Sequence, residues 1–368
     1  SAASDVYKRQ AICIALFTAF AAALYQYALP YRHLLPKKYF LSVAAIMKNE
    51  KPYLKEWLEY HLLQGVEHFY LCDNGSTDGT DAYLEPYVAK GVITYISLPG
   101  VDKQAECYEK IVAGYGRETE WLAFIDLDEF LVPMQGGDMA DFLHRFAEAD
   151  EVSLHWMNYG DNGAFTRPDG LVTEFFTAHA RFLNHTVKSI VRPEAVINFK
   201  PFGSNHYIPV RGKSINEYGK PVDFMLNFNI SADKARVNHY ITKSFAEFLN
   251  KKGRGHPEGT PIDYGYYFFH NENDVKNDMS MQRFLPELKR RMAQSPLPNV
   301  PLPRLPDLPE TFADFYFTPE DVSRILGREF SEPVSFYETE QLWRKRLRPV
   351  YVAPAETAAG KDIKRQEK

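Results

Sequence analysis

An acidic cluster directly follows an apolar segment in the first half of the chain. The segment is WLAFI, residues 121–125, and Asp126, Leu127, Asp128 and Glu129 come after it. Side chains two positions apart in an extended chain point to the same side, so the Asp126 and Asp128 carboxylates face one way. Carboxylate oxygens suit Mg²⁺ or Mn²⁺, which complete their coordination shells with phosphate oxygens and water. The spacing predicts a metal and diphosphate site, with a solvated acidic turn as the alternative.

A polar segment, DNGSTDGT at residues 73–80, follows another apolar segment, HFYLC at residues 68–72. Its glycines allow a ligand to approach the backbone closely, and Asp73 and Asn74 offer hydrogen-bonding groups that suit a base or a ribose. A polar turn that caps a helix is the alternative. The acidic cluster two strands later favours the ligand-binding interpretation.

Strands and helices alternate in the part of the chain that must position these motifs. Strand-length apolar segments are LSVAAIM, HFYLC, VITYIS and WLAFI, and amphipathic helical segments separate them. This alternation predicts right-handed βαβ crossovers and a largely parallel sheet with helices on both faces. The carboxyl ends of parallel strands share one edge of the sheet, where open α/β folds bind ligands, so both motifs are expected there. From Val152 to about Tyr240 strand-like segments dominate, which predicts antiparallel additions to the same domain.

The composition excludes some classes of protein. The chain has 368 residues with 43 Lys+Arg and 48 Asp+Glu, a formal charge of −5, which argues against nucleic acid as a partner. A hydrophobic content of 45% excludes disorder for most of the chain. The only cysteines are Cys13, Cys72 and Cys107, so we expect neither a disulfide framework nor a Cys-based zinc site.

An uncharged run from Ala11 to Leu29 is close to the length that a bilayer-spanning helix needs. Its alanine-rich composition is weakly hydrophobic for such a helix. The run predicts a single membrane anchor, with a buried or frayed helix as the alternative. Basic residues flank it on both sides and give no orientation.

Four segments together resemble glycosyltransferase family 92 and its bacterial relatives among the GT-A nucleotide-sugar glycosyltransferases. They are SVAAIMKNEKPYLKEWLEYHLLQGVEHFYLCDNGSTDGT, EWLAFIDLDEFLVP, HTVKSIVRP and NHYITKSFAEFLNKKGRG, within residues 38–284. The resemblance implies an α/β fold of the GT-A (Rossmann-like) type, a mixed, mostly parallel sheet flanked by helices. It also implies inverting transfer of a hexose, often galactose, with Mn²⁺ or Mg²⁺. The donor would be a UDP-sugar or another nucleotide-diphosphate sugar, and the acceptor a glycan or glycolipid.

Three parts are expected along the chain. Residues 1–37 form an N-terminal segment with the anchor at 11–29, residues 38–285 the GT-A domain, and residues 286–368 a proline-rich linker, a short helical module and a charged tail. The prediction is a membrane-associated enzyme, with its catalytic domain in the cytoplasm if the source is bacterial and in the Golgi lumen if it is eukaryotic.

The resemblance also implies residues that bind the donor. Asn49 and Glu50 follow the first strand, beside the nucleotide, and Asp73 contacts the base or ribose with Asn74 next to it. Lys243 and Arg254 would neutralise the leaving diphosphate, where charge develops. Nearby Lys251 and Lys252 share this basic cluster, with a solvated helix face as their alternative.

The metal site is expected at the DxD motif formed by Asp126 and Asp128. Asp128 would be the direct ligand, Asp126 would lie near the ribose or a coordinated water, and Glu129 would support them. His239 resembles a late histidine that completes the metal or diphosphate site, with a hydrogen-bonded core histidine as the alternative. Lys188 falls in the HTVKSIVRP block without an implied role.

An inverting transfer needs a base that takes the proton of the acceptor hydroxyl. Asp161, in a turn-rich segment, is the candidate, and Glu174 and Asp223 are alternatives. The acidic Glu-Asp pair that supplies the base in family 2 has no evident counterpart, which makes this assignment the least supported by the resemblance.

Two other functions have distinct sequence marks. A sugar-nucleotide nucleotidyltransferase would carry a glycine-rich basic loop after the first strand, where this chain has MKNEKP at residues 47–52. A non-catalytic carbohydrate-binding relative would be expected to lack the acidic cluster, which is intact here. Both marks favour the glycosyltransferase.

Overall fold

The structure is a computed structural model that describes residues 36–199, 206–255, 259–303, 305 and 308–347. The predicted anchor at 11–29 and the predicted charged tail, from Ala353 onward, lie outside these residues. Within them, no helix combines the length and the apolar character that crossing a membrane requires.

The elements follow the predicted alternation as far as the acidic cluster. They are β1 Tyr39–Met47, α1 Lys51–Leu63, β2 His68–Asp73, α2 Thr80–Ala89, β3 Ile93–Ser97, α3 Gln104–Tyr115 and β4 Thr119–Phe124. The next group is β5 Glu129–Pro133, α4 Met139–Leu143, β6 Glu151–Asn158, α5 Val172–Phe175, β7 Val187–Val191, β8 Ser214–Asn216 and β9 Ala235–His239. The last group is α6 Phe245–Arg254, α7 Tyr264–His270, α8 Leu285–Gln294, β10 Tyr316–Phe317, α9 Pro319–Leu326, β11 Val334–Ser335 and α10 Phe336–Leu347.

The main sheet has the strand order β3-β2-β1-β4-β7-β6-β9-β5, with β8 paired to β6. Strands β1 to β4 run parallel to one another, while β7 runs antiparallel to both β4 and β6. In the register, Met47 lies opposite Asp73 and Ala44 opposite Phe124. The polar segment after β2 and the acidic cluster after β4 therefore emerge at the same edge, and the predicted mixed, mostly parallel sheet is confirmed.

Helix α1 positions the acidic cluster. It begins just after β1, with a proline in its first turn, and its apolar side buries Leu54, Trp57 and Leu58 completely against the sheet. The Trp57 indole N–H lies 2.9 Å from the Glu129 carbonyl oxygen and 3.2 Å from that of Asp126, so it donates to the backbone at both ends of the cluster. Since a buried indole needs an acceptor, this contact fixes the turn between β4 and β5.

The C-terminal part packs on the helices that follow β9. Phe312 and Phe336 join Phe245 and Phe248 of α6 and Tyr267 of α7 in an aromatic cluster. In the proline-dense segment before it, residues 296–309, the described residues form neither helix nor strand. Pro309 is half-buried and the other described prolines are exposed, but Leu297 is buried in the main core. The predicted division into domains stays a prediction.

A disulfide joins Cys72, at the end of β2, to Cys107 in α3, with Cα atoms 6.1 Å apart. The sequence led us to expect no disulfide framework, and this single bridge differs from that expectation. The two cysteines are 35 positions apart, and only the packing of α3 on the sheet brings them together.

Candidate active site

A cavity of about 450 Å³ opens at the carboxyl edge of the parallel strands. It is called the donor cavity below. The predicted site residues that line it are Glu50, Asn74, Asp126, Asp128, His239 and Arg254. The fold thus gathers residues from the ends of β1, β2, β4 and β9 and from helix α6 around one space.

Asp126 is held by a buried lysine. The Lys188 ammonium lies 2.6 Å from Asp126 Oδ2 and 3.3 Å from Glu129 Oε2, and its side chain is only 1% exposed. Burial alone would raise the pKa of Asp126, but the Lys188 charge outweighs it and holds the pKa below the ordinary value. Burial raises the pKa of Glu129 well above its usual range, and the neighbouring aspartates add to this. Asp126 is therefore the ionised partner of Lys188.

Asp128 faces two groups at once. Its Oδ2 lies 2.8 Å from the Lys251 ammonium and its Oδ1 lies 3.5 Å from His239 Nε2. Burial opposes ionisation, but Lys251 and His239 outweigh it and hold the pKa of Asp128 well below the ordinary value. Burial lowers the pKa of His239, so its imidazole is neutral near pH 7. The antiparallel pairing of β5 and β9 sets this geometry, because it places Glu129 opposite His239.

The donor set of Asp128 and His239 fits a divalent cation. Neighbouring ligands in an octahedral shell lie roughly 3 Å apart, close to the separation of Asp128 Oδ1 and His239 Nε2. His239 Nδ1 is buried and has no hydrogen-bond partner among the described residues. The described part of the chain has no group of three or more His, Cys, Asp or Glu suited to a metal. A cation here would therefore take its remaining ligands from a bound substrate and water.

Asn49 and Asp73 shape the polar segment from outside the donor cavity. Asn49 donates its backbone N–H to Ser76 Oγ at 2.9 Å and accepts from Thr77 N at 2.7 Å. Asp73 accepts from Ser76 N at 2.6 Å and from the Tyr95 hydroxyl at 2.7 Å. The side chain that reaches the cavity from this segment is Asn74. The predicted contact of Asp73 with a base or ribose stays a prediction.

Helix α6 brings basic side chains to the cavity. Arg254 Nη1 lies 2.7 Å from Glu50 Oε1 and donates to the carbonyl oxygens of Lys48 and Asn49 at 3.1 and 3.0 Å. Lys251 lines the donor cavity, whereas Lys243, predicted for the same role, lines a neighbouring cavity. Lys252 faces away, with its ammonium 4.6 Å from the Tyr264 ring centroid.

The structure does not bring Asp161 to either cavity. Its carboxylate accepts hydrogen bonds from the Tyr267 hydroxyl, from Gly163 N at 2.7 Å and from Asn273 Nδ2 at 2.9 Å. Of the alternatives, Glu174 pairs with Lys289 at 2.6 Å on the surface, and Asp223 is exposed. No predicted base candidate is therefore adjacent to Asp128.

Sequence reasoning left Lys188 without a role, although it carries a recognisable signal. It is the second residue of VKSIV, a fully buried strand, where an ammonium group is costly without an ionised partner. Gln104 is a further site residue that the sequence does not predict, and its Nε2 lies 3.3 Å from Asp126 Oδ1. Nothing in the local sequence of α3 distinguishes this glutamine from a surface residue.

A family model described as Glycosyltransferase family 92 matches residues 37–254. The chain belongs to this family, as the resemblance implied. A family 92 protein of Oryza sativa subsp. japonica is 25% identical over 224 residues, 60% of this chain and 36% of that protein. One of Ricinus communis is 29% identical over 165 residues, 44% of this chain and 30% of that protein. The chain thus spans about a third of the length of these curated relatives.

Some solved structures show a limited likeness to parts of this chain. S. aureus TarS 1–349 is 21% identical, with a TM-score of 0.31 over 42% of this chain and 48% of that chain. Glucosyl-3-phosphoglycerate synthase from Mycobacterium tuberculosis, in complex with Mn²⁺, UDP and glucosyl-3-phosphoglycerate, is 16% identical, with a TM-score of 0.28 over 44% and 61%. The observed sheet and the family membership define the GT-A type of fold.

Proposed function

We propose that this chain is a divalent-cation-dependent glycosyltransferase that moves a hexose from a nucleotide-diphosphate sugar to a glycan or glycolipid acceptor. The observation that carries the proposal is the meeting of Asp128, His239 and Lys251 at one end of the donor cavity. An ionised carboxylate, a neutral imidazole and an ammonium group together suit a cation-bound diphosphate. Family membership supports the same class of reaction.

The chain's own residues would act mainly by positioning and charge. Asn74 and Gln104 line the end of the cavity towards β2 and α3, where a nucleoside would lie. Lys251 lies where it would neutralise the diphosphate as the bond to the sugar breaks, and Arg254, paired with Glu50, lies where it would help to hold the donor. A bound Mn²⁺ or Mg²⁺ would act as a Lewis acid on the same phosphates. Lys188 keeps Asp126 ionised and oriented at the cavity wall.

Finer parts of the proposal rest on the family resemblance alone. These are UDP as the nucleotide, a galactose-like hexose and inversion of the anomeric centre. Membrane association through residues 11–29 also belongs to the proposal. The cytoplasmic or Golgi location would then depend on the source.

The first test is thermal unfolding with Mn²⁺ and a panel of nucleoside diphosphates. We expect UDP with Mn²⁺ to raise the melting temperature of the wild type and of Asp169→Ala, an exposed control, but not of Asp128→Ala. Equal shifts in the wild type and Asp128→Ala would show that the donor site is wrongly assigned.

The second test is hydrolysis of a panel of nucleotide sugars with Mn²⁺, because the preferred donor identifies the nucleotide and the sugar together. Binding without turnover of any donor, alone or with glycan acceptors, would support the non-catalytic relative. Formation of a nucleotide sugar from a sugar phosphate and a nucleoside triphosphate would support the nucleotidyltransferase. The anomeric configuration of a transferred sugar, determined by NMR, tests inversion.

A further inference from the structure

A second cavity of about 410 Å³ lies beside the donor cavity. It is called the side cavity below. Lys251 and Arg254 line both spaces, so the two cavities share a wall on helix α6. Because Lys251 contacts Asp128, a ligand in the side cavity would lie next to the end of the donor cavity where we propose that transfer occurs.

Lys243 is a buried cation in the wall of the side cavity. It is 5% exposed, and its ammonium lies 4.4 Å from the Tyr53 ring centroid. Within the described ranges, no carboxylate oxygen lies within ion-pair distance of it. This differs from Lys188 and Lys251, which contact Asp126 and Asp128 directly. Burial lowers the pKa of Lys243, because its charge is only distantly compensated.

The hydroxyl of Thr242 is a second unused group on the same wall. Thr242 is 1% exposed, and its Oγ1 has no hydrogen-bond partner among the residues described. A buried hydroxyl without a partner costs free energy unless a ligand or water satisfies it. Thr242, with its unpartnered hydroxyl, and Lys243, with its ammonium group, thus lie side by side in the lining of one cavity.

The acidic residues of the side cavity are already engaged. Asp78 accepts from the backbone N–H of Lys51 and from the Thr80 hydroxyl, at 3.2 and 2.6 Å. Glu247 pairs with Arg167 at 3.0 Å. Neither carboxylate lies within ion-pair distance of the Lys243 ammonium. The cavity lining also holds more cationic side chains than carboxylates, so the cavity has a positive character.

We propose that the side cavity binds a compact oxyanion, a phosphate or a carboxylate, between the Lys243 ammonium and the Thr242 hydroxyl. We assign the bound oxyanion to the acceptor. This assignment rests on the proposed function, but the binding of an oxyanion in the side cavity does not. Charge-assisted hydrogen bonds from an ammonium group and a hydroxyl are the contacts that such a group makes best.

The outer wall of the side cavity comes from beyond the family match. Val300, Pro301 and Pro303 line it, while the matched region ends at residue 254. The segment is anchored by the Tyr83 hydroxyl, which donates to the Pro298 carbonyl at 2.8 Å, and by Lys55, 2.8 Å from Asn299 Oδ1. A wall outside the region shared with the family suits recognition of this chain's own acceptor.

Calorimetric titration with inorganic phosphate, glucuronate and uncharged glucose tests oxyanion binding. We expect both anions to bind the wild type at least about tenfold more tightly than glucose, and Lys243→Asn to weaken both about tenfold. Asn tolerates the left-handed backbone that Lys243 adopts, with φ of 54°, so this variant is expected to fold. Lys243→Arg should retain binding, and Thr242→Val should weaken it about threefold. The matched control is Lys252→Gln, a lysine of helix α6 that lines neither cavity, with less than twofold expected.

Unchanged affinity in both Lys243→Asn and Thr242→Val would overturn the proposal. So would loss of anion binding in Lys251→Gln with full binding in Lys243→Asn, because the anion would then occupy the donor cavity. UDP binding measured in the same variants separates the two proposals. If UDP does not bind but phosphate binding still depends on Lys243, the proposed donor site is wrong and the proposed oxyanion site is supported.

Inhibition of transfer by phosphate tests the assignment to the acceptor. Competition with an acidic acceptor, and not with the donor, would support it. Competition with the donor alone, or equal transfer to acidic and neutral acceptors, would show that the oxyanion is a free anion. A glucuronate affinity above that of phosphate would identify the acceptor group as a sugar carboxylate, and the reverse order as a phosphate.

Discussion

Asp128 and Asp161 are both buried aspartates, yet their surroundings move their pKa values in opposite directions. Around Asp128, Lys251 and His239 outweigh burial and lower the pKa. Around Asp161, burial outweighs the neutral donors Tyr267, Gly163 and Asn273, and the pKa is raised. A neutral donor stabilises a carboxylate less than an ammonium group does, so only Asp128 keeps a strongly favoured charge.

The opposite pKa shifts of Asp128 and Asp161 correspond to two different roles of a buried carboxylate. Asp128 keeps its charge at the wall of a cavity, where a ligand can meet it. Asp161 uses its oxygens to tie the loop after β6 to helix α7. Glu151 in β6 resembles Asp161, because it is fully buried and accepts from the hydroxyls of Ser153, Ser189 and Ser214. Burial raises its pKa to about 7.

The largest effect is expected at Asp128. Replacing it in Asp128→Asn removes the charge that holds Lys251 and the cation, and should lower transfer by about 10²- to 10³-fold with an unchanged fold. Initial rates with the preferred donor, alongside circular dichroism, measure this. If Asp128→Asn keeps more than a tenth of the wild-type rate, the role proposed for the Asp128 charge in transfer is wrong.

Glu151 predicts a pH dependence of stability. Its pKa is about 7 when folded against an ordinary value of 4.5, so the folded state holds its proton more tightly than the unfolded state. The stabilisation is present below about pH 4.5 and is lost as the pH rises to about 7, by about 3 kcal/mol in all. Urea unfolding from pH 4.5 to 8 measures it. The same slope in Glu151→Gln as in the wild type would contradict this assignment.

Removing Asp161 should affect stability more than chemistry. In Asp161→Ala the buried Tyr267 hydroxyl and Asn273 amide lose their acceptor, which costs about 2 kcal/mol of the free energy of unfolding. We expect transfer per folded molecule to change less than about threefold. A loss of more than a hundredfold in rate, with folding intact, would instead support the predicted role of Asp161 as the base. The purely structural role assigned to Asp161 would then be wrong.

The smallest effect is expected at Arg254. It is a positioning residue, since it contacts Glu50 and the carbonyl oxygens at the end of β1. Arg254→Gln should raise the KM for the donor about tenfold with less effect on kcat, and exposed Arg117→Gln should change neither. A fall in kcat with an unchanged KM would place Arg254 at the reacting bond rather than beside the donor.

The sequence predicted the fold well where the pattern is local. Apolar runs of strand length alternate with amphipathic helices as far as WLAFI, and the structure follows them. After β6 the alternation of strands and helices is less regular. The pairing of β6 with β7, β8 and β9 depends on contacts between residues that are far apart in the sequence. No local pattern could have given that register.

The sequence by itself determined that Asp126 and Asp128 end a strand at the ligand-binding edge, because parallel strands bring their carboxyl ends together. Tertiary structure alone decided which charges meet them. Lys188 lies 62 positions from Asp126, and Lys251 lies 123 positions from Asp128. It likewise turned Lys243 towards the side cavity and enclosed Asp161 among neutral donors. The charge state of a carboxylate depends on groups within a few ångströms, and only the folded chain sets those distances.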